Sequence, residues 1–195
     1  TEVLLFRTAW PRIERPAHCG MGVVGLVALK PRTIWWGCGI EQREGPLSEP
    51  SVSVVIPAHK RPIELRRAIA AIRDQRYSGD IDVIVVYDRA EPDLTLAVEG
   101  ERPVQVLVNS RTPGLAGARN TGIIASTGSL VAFCDDDDVW LDDKLRHQTS
   151  RLNEHPEAPL VTTSIVVDYG DRSTVRLAGR EMVSHEMLLA SRMSM

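Results

Sequence analysis

The chain has 195 residues, of which 43% are hydrophobic and 25% charged, enough apolar material for one domain of ordinary size and unlike a disordered or collagen-like chain. Its 23 Lys and Arg stand against 26 Asp and Glu, a formal charge of -3, so no cationic excess is available to hold a nucleic-acid backbone. The apolar run 21–29 is far shorter than the roughly 20 residues a membrane-spanning helix needs, and the first twenty residues lack the basic, apolar and small-residue succession of an export signal. Cys19, Cys38 and Cys134 are odd in number and irregular in spacing, which reads as reduced thiols in a cytoplasmic protein.

Residues 1–50 carry three of the four Trp residues and five of the twelve Pro residues, and Gly and Pro interrupt every candidate element there. They read as an irregular N-terminal extension, with 45–50 as a linker into a domain spanning 51–195. From Ser51 the pattern becomes regular. The β-branched run 51–56 predicts a buried strand ended by Pro57. Pro62 suits the first turn of a helix in which Leu65, Ala68, Ile69 and Ile72 recur at helical spacing up to about Gln75. Strands follow at 81–87 and 104–108, a helix at 114–126, a strand at 130–134, a helix from Leu141 to about Asn153, and a strand near 160–167. Strands alternating with helices predict an α/β architecture, a mostly parallel sheet flanked by helices.

In such sheets ligands bind beyond the carboxyl ends of the strands, and the polar clusters fall there. Residues 57–61 (Pro-Ala-His-Lys-Arg) follow the first strand, Asp88 and Arg89 the second, 109–111 the third, and Asp135, Asp136, Asp137 and Asp138 the fourth. Two like charges about 4 Å apart repel by roughly 4 kcal/mol at an effective dielectric of 20, so this crowding calls for a cation. Carboxylate oxygens suit Mg2+ or Mn2+, whose shells are commonly completed by substrate phosphates; a metal-bound diphosphate is the natural guest. Asp138, Asp142 and Asp143 also admit a plainer reading, as acids complementing the dipole of the helix that follows.

The succession VSVVIPAHKR, VVYD, N-x-R-x-x-GLAGARNTGI and STGSLVAFCDDDDVWLDDKL, running from Ser51 to about Gln148, resembles the nucleotide-sugar-binding half of family 2 glycosyltransferases, which have the GT-A fold. The resemblance implies that Pro57, Ala58 and His59 pack against the nucleotide and that Arg61 closes over it. It also implies that Asp88 contacts the base, although Tyr87 stands where a second acid is usual. Gly117, Arg119 and Asn120 would line the nucleotide pocket, Arg119 reaching a phosphate or the base edge. Asp135-x-Asp137 would be the DxD element, with Asp135 and Asp137 toward a Mn2+ or Mg2+ cofactor and Asp136 toward the ribose. A plainer reading gives Gly114, Gly117 and Gly122 only tight turning and close helix packing.

The implied reaction transfers a sugar from a nucleoside-diphosphate sugar to a hydroxyl of a glycan, lipid or small-molecule acceptor, with inversion, the metal assisting departure of the diphosphate. The general base lies, by resemblance, further beyond the DxD element than the 57 residues from 139 to 195 reach. Asp168, Asp171, Glu181 and Glu186 match no motif, and 183–195 resembles the start of an acceptor region; the chain is expected to be a donor-binding fragment without the base. Two alternatives stand beside this. An apolar strand followed by D-x-D-x-V also suits a haloacid-dehalogenase-like phosphatase with Asp135 as nucleophile. An inactive binding module of the same fold, self-associating through exposed sheet edges, is the other.

Overall fold

The computed structural model describes residues 2–5, 25–27, 49–177 and 182–184. The core is built from β3 (Val52–Ala58), α1 (Pro62–Arg73), β4 (Ile81–Tyr87), β5 (Val104–Val108), α2 (Leu115–Ala125) and β6 (Leu130–Phe133). These four strands are parallel and stand in the order β6, β3, β4, β5. Both faces of the sheet are covered, which is why the strands read as continuous apolar runs. Val52, Val54 and Ile56 pack on one face with Leu65, Ala68 and Ile72 of α1, while Val55, Ile84 and Val131 pack on the other with Ala118 of α2. Gly122 permits the close approach of α2, since a Cβ there would lie 2.2 Å from Val55 Cγ1.

The chain runs outward from β3 through β4 to β5, returns by α2, and adds β6 on the opposite side of β3. The connections therefore diverge between β3 and β6. This is the topological switch point at which open α/β sheets leave a crevice.

Several boundaries differ from those the sequence predicts. β3 does not stop before Pro57 but continues to Ala58, pairing Pro57 with Val86 and Ala58 with Tyr87. Val55 O accepts from Cys134 N on the β6 side, so Pro57, two residues on, faces that same side, where β6 has ended; no ladder bond is lost for want of its N–H. α3 spans Lys144–Glu154, starting three residues later than expected. The expected strand at 160–167 is two strands, β7 (Val161–Thr162) in the main sheet and β8 (Ile165–Asp168), which pairs antiparallel with β9 (Ser173–Arg176) in a separate hairpin.

The segment expected to be irregular contributes β1 (Glu2–Leu5) and β2 (Gly25–Val27) to the main sheet. β2 lies antiparallel between β6 and β7, and β1 lies between β7 and β10 (Met182–Ser184). Strands of three or four residues are too short to show a period, and pairing partners specify them instead. The rest of 1–48, the greater part of the expected extension and its linker, lies outside the described residues.

Candidate active site

A cleft of about 760 Å³ opens at the carboxyl ends of β3, β4 and β6. It is lined by residues 57–61 after and at the end of β3, by Asp88 and Arg89 after β4, by Leu115 and Ala118 of α2, and by Asp135–Asp137 after β6. The strands bring together most of the residues the sequence singles out, because parallel strands in register end at one level.

The acidic run turns sharply on leaving β6, with Asp138 N donating to Asp135 O at 3.1 Å. Its first three carboxylates face the cleft and are held by cations from two elements. Arg119 Nη2 meets Asp135 Oδ1 at 2.9 Å and lies over the Phe133 ring, 5.5 Å from its centroid. Arg61 Nη1 reaches Asp136 Oδ1 at 2.9 Å and Asp137 Oδ2 at 2.8 Å. The backbone N–H of His59 donates to Asp136 Oδ2 at 2.9 Å. Arg61 and His59 thus join the β3 loop to the β6 loop across the switch point.

The electrostatics follow from this crowding. Asp137 above all, and then Asp136, raises the Arg61 guanidinium above its usual pKa. Burial pushes the Asp137 carboxyl up; Arg61 opposes that shift, and Asp136 and Asp135 add to it. An ionised Asp137 therefore depends on a cation.

Asp88 sits at the cleft edge, but its side chain secures the frame. Its Oδ1 accepts from Asn109 Nδ2 at 2.6 Å and its Oδ2 from Gly114 N at 2.9 Å, and these bonds, the Asn109 one first, hold its carboxyl below the usual range. Asn109 Oδ1 accepts from Arg111 N at 2.9 Å and from the Thr121 hydroxyl at 3.0 Å. Asp88 and Asn109 together fix the start of α2, where Gly114 has φ +115°, a conformation side chains avoid. Gly117 is buried under the Thr112 carbonyl, where a Cβ would stand 1.7 Å from the oxygen. Asn120 is exposed on α2; none of Gly117, Arg119 and Asn120 is among the residues lining the cleft, although Arg119 reaches its wall through Asp135. For Gly117 the packing alternative describes what is seen.

Asp138 points the other way. It is 3% exposed, its Oδ2 has no hydrogen-bond partner, and burial, then Asp135 and Asp137, pushes its pKa up to about 7. Beneath it Lys144, also buried, donates to Gln148 Oε1 at 2.6 Å and stacks 3.9 Å from the Trp140 ring centroid. Burial lowers its pKa to about 7. Gln75 links this underside to α1, donating to Leu141 O at 2.7 Å and accepting from Leu145 N at 3.1 Å. Sequence reasoning passes over Lys144, Gln148 and Gln75 because polar residues on a helix read as a solvated face. The spacing of Lys144, Leu145, Gln148, Thr149 and Leu152, all buried on α3, is the signal that could have found the first two.

Among the described residues no group of three or more His, Cys, Asp or Glu forms a metal cage. The donor set still suits a hard divalent ion, because Asp135 and Asp137 offer carboxylate oxygens at the cleft wall, the partial shell that a phosphate-bound Mg2+ or Mn2+ uses. Asp168 Oδ1 accepts from Gly170 N at 2.9 Å in the β8–β9 turn, and Asp171 is exposed. Glu181 and Glu186 lie outside the described residues.

A crevice walled by acids and arginines at the switch point of a parallel sheet places the chain among α/β domains whose ligand sites lie beyond the strand ends. Within that class, residues 53–192 match the sequence model of Glycosyl transferase family 2, and the chain belongs to that family. Similar proteins include the amylovoran biosynthesis glycosyltransferase AmsB of Erwinia amylovora, 35% identical over 52% of this chain and 36% of that protein. The UDP-Glc:alpha-D-GlcNAc-diphosphoundecaprenol beta-1,3-glucosyltransferase WfgD of Escherichia coli is 28% identical over 52% of this chain and 40% of its own length. A mannosyltransferase of Pyrobaculum calidifontis, solved with GDP-Man and Mn2+, aligns with a TM-score of 0.48 at 24% identity, over 54% of this chain and 33% of that one. The chain therefore spans well under half the length of these relatives. Neither the phosphatase nor the inactive-module alternative is favoured by these matches.

Proposed function

We propose that this chain is the donor-binding part of a metal-dependent glycosyltransferase that passes a sugar from a nucleoside-diphosphate sugar to an acceptor hydroxyl with inversion. The observation carrying this reading is the trio Asp135–Asp137 at the end of β6, facing the cleft and balanced by Arg61 and Arg119 from two other elements.

In this reading Asp135 and Asp137 hold the divalent ion, Mn2+ or Mg2+, which when bound stabilises charge on the departing diphosphate. Arg119 and Arg61 offer guanidinium groups to the phosphate oxygens, a planar fork suited to them. Asp136, fixed by His59 N–H and Arg61, presents its outer oxygen edge to the ribose. Leu115, Ala118, Pro57 and Ala58 supply the apolar wall against the nucleoside. Asp88 and Asn109 hold the α2 N-terminus and keep Arg119 in reach. This reading assigns the donor-side residues and names no base for the acceptor; the chain spans 36 to 40% of the length of the relatives it matches. Two relatives are named for acceptors linked to undecaprenol by a diphosphate; a glycan acceptor is the reading carried over from them. No helix among the described residues is long and apolar enough to cross a membrane. A cytoplasmic setting is the reading carried by the odd number and irregular spacing of the cysteines; Cys134, the one within the described residues, is free and buried.

Calorimetric titration with UDP and with GDP, each with Mn2+ and with EDTA, tests the reading. Binding that requires the metal is expected; absence of metal-dependent binding to either nucleotide overturns it.

A further inference from the structure

We infer that Arg61 is a placeholder cation that couples metal and diphosphate binding, resting on Asp136 and Asp137 until a metal-bound diphosphate displaces it. The inference rests on the donor-site reading above and adds a role that the reading does not require.

Three carboxylates face the cleft and two guanidinium groups touch them, so this cluster of five groups carries minus one; Asp88, Lys60 and Arg89 also line the cleft, and none of them is paired with the three acids. The two arginines are not equivalent. Arg119 is one-third exposed in its side chain, stacks on Phe133 and meets a single acid. Arg61 is 51% exposed and uses one nitrogen, Nη1, to meet two carboxylates. Its backbone caps α1, the carbonyl accepting from Leu65 N at 3.0 Å, but its side chain makes no capping bond and is free to turn from the acids without disturbing the helix. Asp136 keeps a second donor, the His59 N–H, if Arg61 leaves. Among the described residues Asp137 meets no second cation within ion-pair distance. Arg61 is therefore the more displaceable half of the balance, and Asp137 is the acid it neutralises.

A divalent ion arriving alone must displace or oppose Arg61 and would turn the local charge to plus one. A nucleoside diphosphate arriving alone meets a site already negative. Arriving together they compensate each other, and the displaced Arg61 can take a phosphate oxygen. Each ligand then raises the affinity for the other by the same factor, as linkage requires.

The test compares the wild-type chain with Arg61→Gln and Arg61→Lys. Free Mn2+ is followed by electron paramagnetic resonance, UDP and GDP by calorimetry, and folding by thermal melting. Arg61→Gln is expected to bind Mn2+ alone about tenfold more tightly and Mn2+ with the diphosphate about tenfold more weakly, a range typical of coupled sites. Arg61→Lys, keeping the charge, should hold Mn2+ affinity near the wild-type value. If the wild-type binds Mn2+ with UDP or GDP but a folded Arg61→Gln leaves the affinity for Mn2+ alone unchanged or lower, the placeholder role is overturned and the donor-site reading stands. If the wild-type binds neither nucleotide with Mn2+, the donor-site reading falls and the inference with it.

Discussion

The acidic run has two sides, and they differ more than four identical residues would suggest. Toward the cleft, Asp135–Asp137 are each matched by a guanidinium at 2.8 to 2.9 Å and stand at the wall of an open space. Underneath, Asp138 is buried with an unpartnered oxygen above Lys144, Trp140 and Gln148. The turn that follows β6 aims three carboxylates outward and one inward. The difference separates charged acids paired with arginines at an open wall from a polar interior beneath the same loop.

Breaking the cleft side without touching the underside has the largest expected effect. Gly117→Ala would put a methyl group against the backbone carbonyl of Thr112, where no side-chain rotation can relieve it. The start of α2 must shift, and Arg119, two residues on, shifts with it. A loss of about 3 kcal/mol in stability is expected, read from urea unfolding, together with loss of metal-dependent diphosphate binding. Stability within about 0.5 kcal/mol of the wild type would show that the corner is soft and the Arg119–Asp135 pair not held by it.

Asp137→Asn sharpens the comparison from within the run. The amide keeps shape but not charge, so metal-dependent binding of UDP or GDP should weaken by about 2 kcal/mol, on the order of thirtyfold. Melting temperature should fall little, since the partner Arg61 is half exposed. An unchanged affinity would remove Asp137 from the metal-holding set.

Most of the cleft side was legible beforehand, and for physical reasons. β4 and β5 occupy the predicted residues 81–87 and 104–108, because strands buried on both faces leave unbroken β-branched runs. Arg61 and the acidic run could be placed together because parallel strands end at one level. Asp88 was placed in the cleft, but nothing in its neighbours along the chain shows that Asn109 and Gly114 N–H take its oxygens; those partners lie 21 and 26 residues away. The underside is harder to read. Lys144 and Gln148 are polar, and only their helical spacing with Leu145 and Leu152 marks that face of α3 as the inner one. The split of 160–167 into β7 and β8 is hidden because Thr and Ser suit a strand as well as a break, so the polar run 162–164 does not announce that the apolar residues on either side belong to different sheets.

The underside makes its own prediction in pH. The Lys144 ammonium falls from its ordinary 10.5 to about 7 in the folded chain. Between those values the unfolded chain carries a proton that the folded chain has lost, so stability rises with pH by up to about 1.4 kcal/mol per unit. Below pH 7 both states are protonated and the full cost of burying the charge remains. Cys134, whose thiol is pushed up by burial, opposes the trend only above its usual range near 9. Asp138, raised to about 7, opposes the trend at the low end of this range, so urea midpoints measured from pH 7 to 8.5 should rise for the wild type and should not rise for Lys144→Met, in which only the Asp138 contribution remains. Parallel profiles for the two proteins would mean that Lys144 keeps its proton and that the underside is a charged pair rather than a neutral one.

The smallest effect is expected just past the run, where acids of the same type meet only solvent and surface arginines. Asp142 Oδ2 lies 3.3 Å from Arg76 Nη2, with both side chains about two-thirds exposed, and Asp143 pairs with Arg146 at 3.2 Å one turn along α3. Asp143 caps α3 by position but makes no side-chain capping bond, so neither acid holds the helix start by more than general attraction to its dipole. Water and salt screen such pairs, whose worth is commonly under about 1 kcal/mol. Asp142→Ala should change stability by less than about 0.5 kcal/mol and leave Mn2+-dependent nucleotide binding untouched, both at low salt and at 0.5 M sodium chloride. A loss of binding in this variant would extend the cation-holding surface past Trp140 and erase the boundary between the cleft face of Asp135–Asp137 and the ordinary surface acids beyond it.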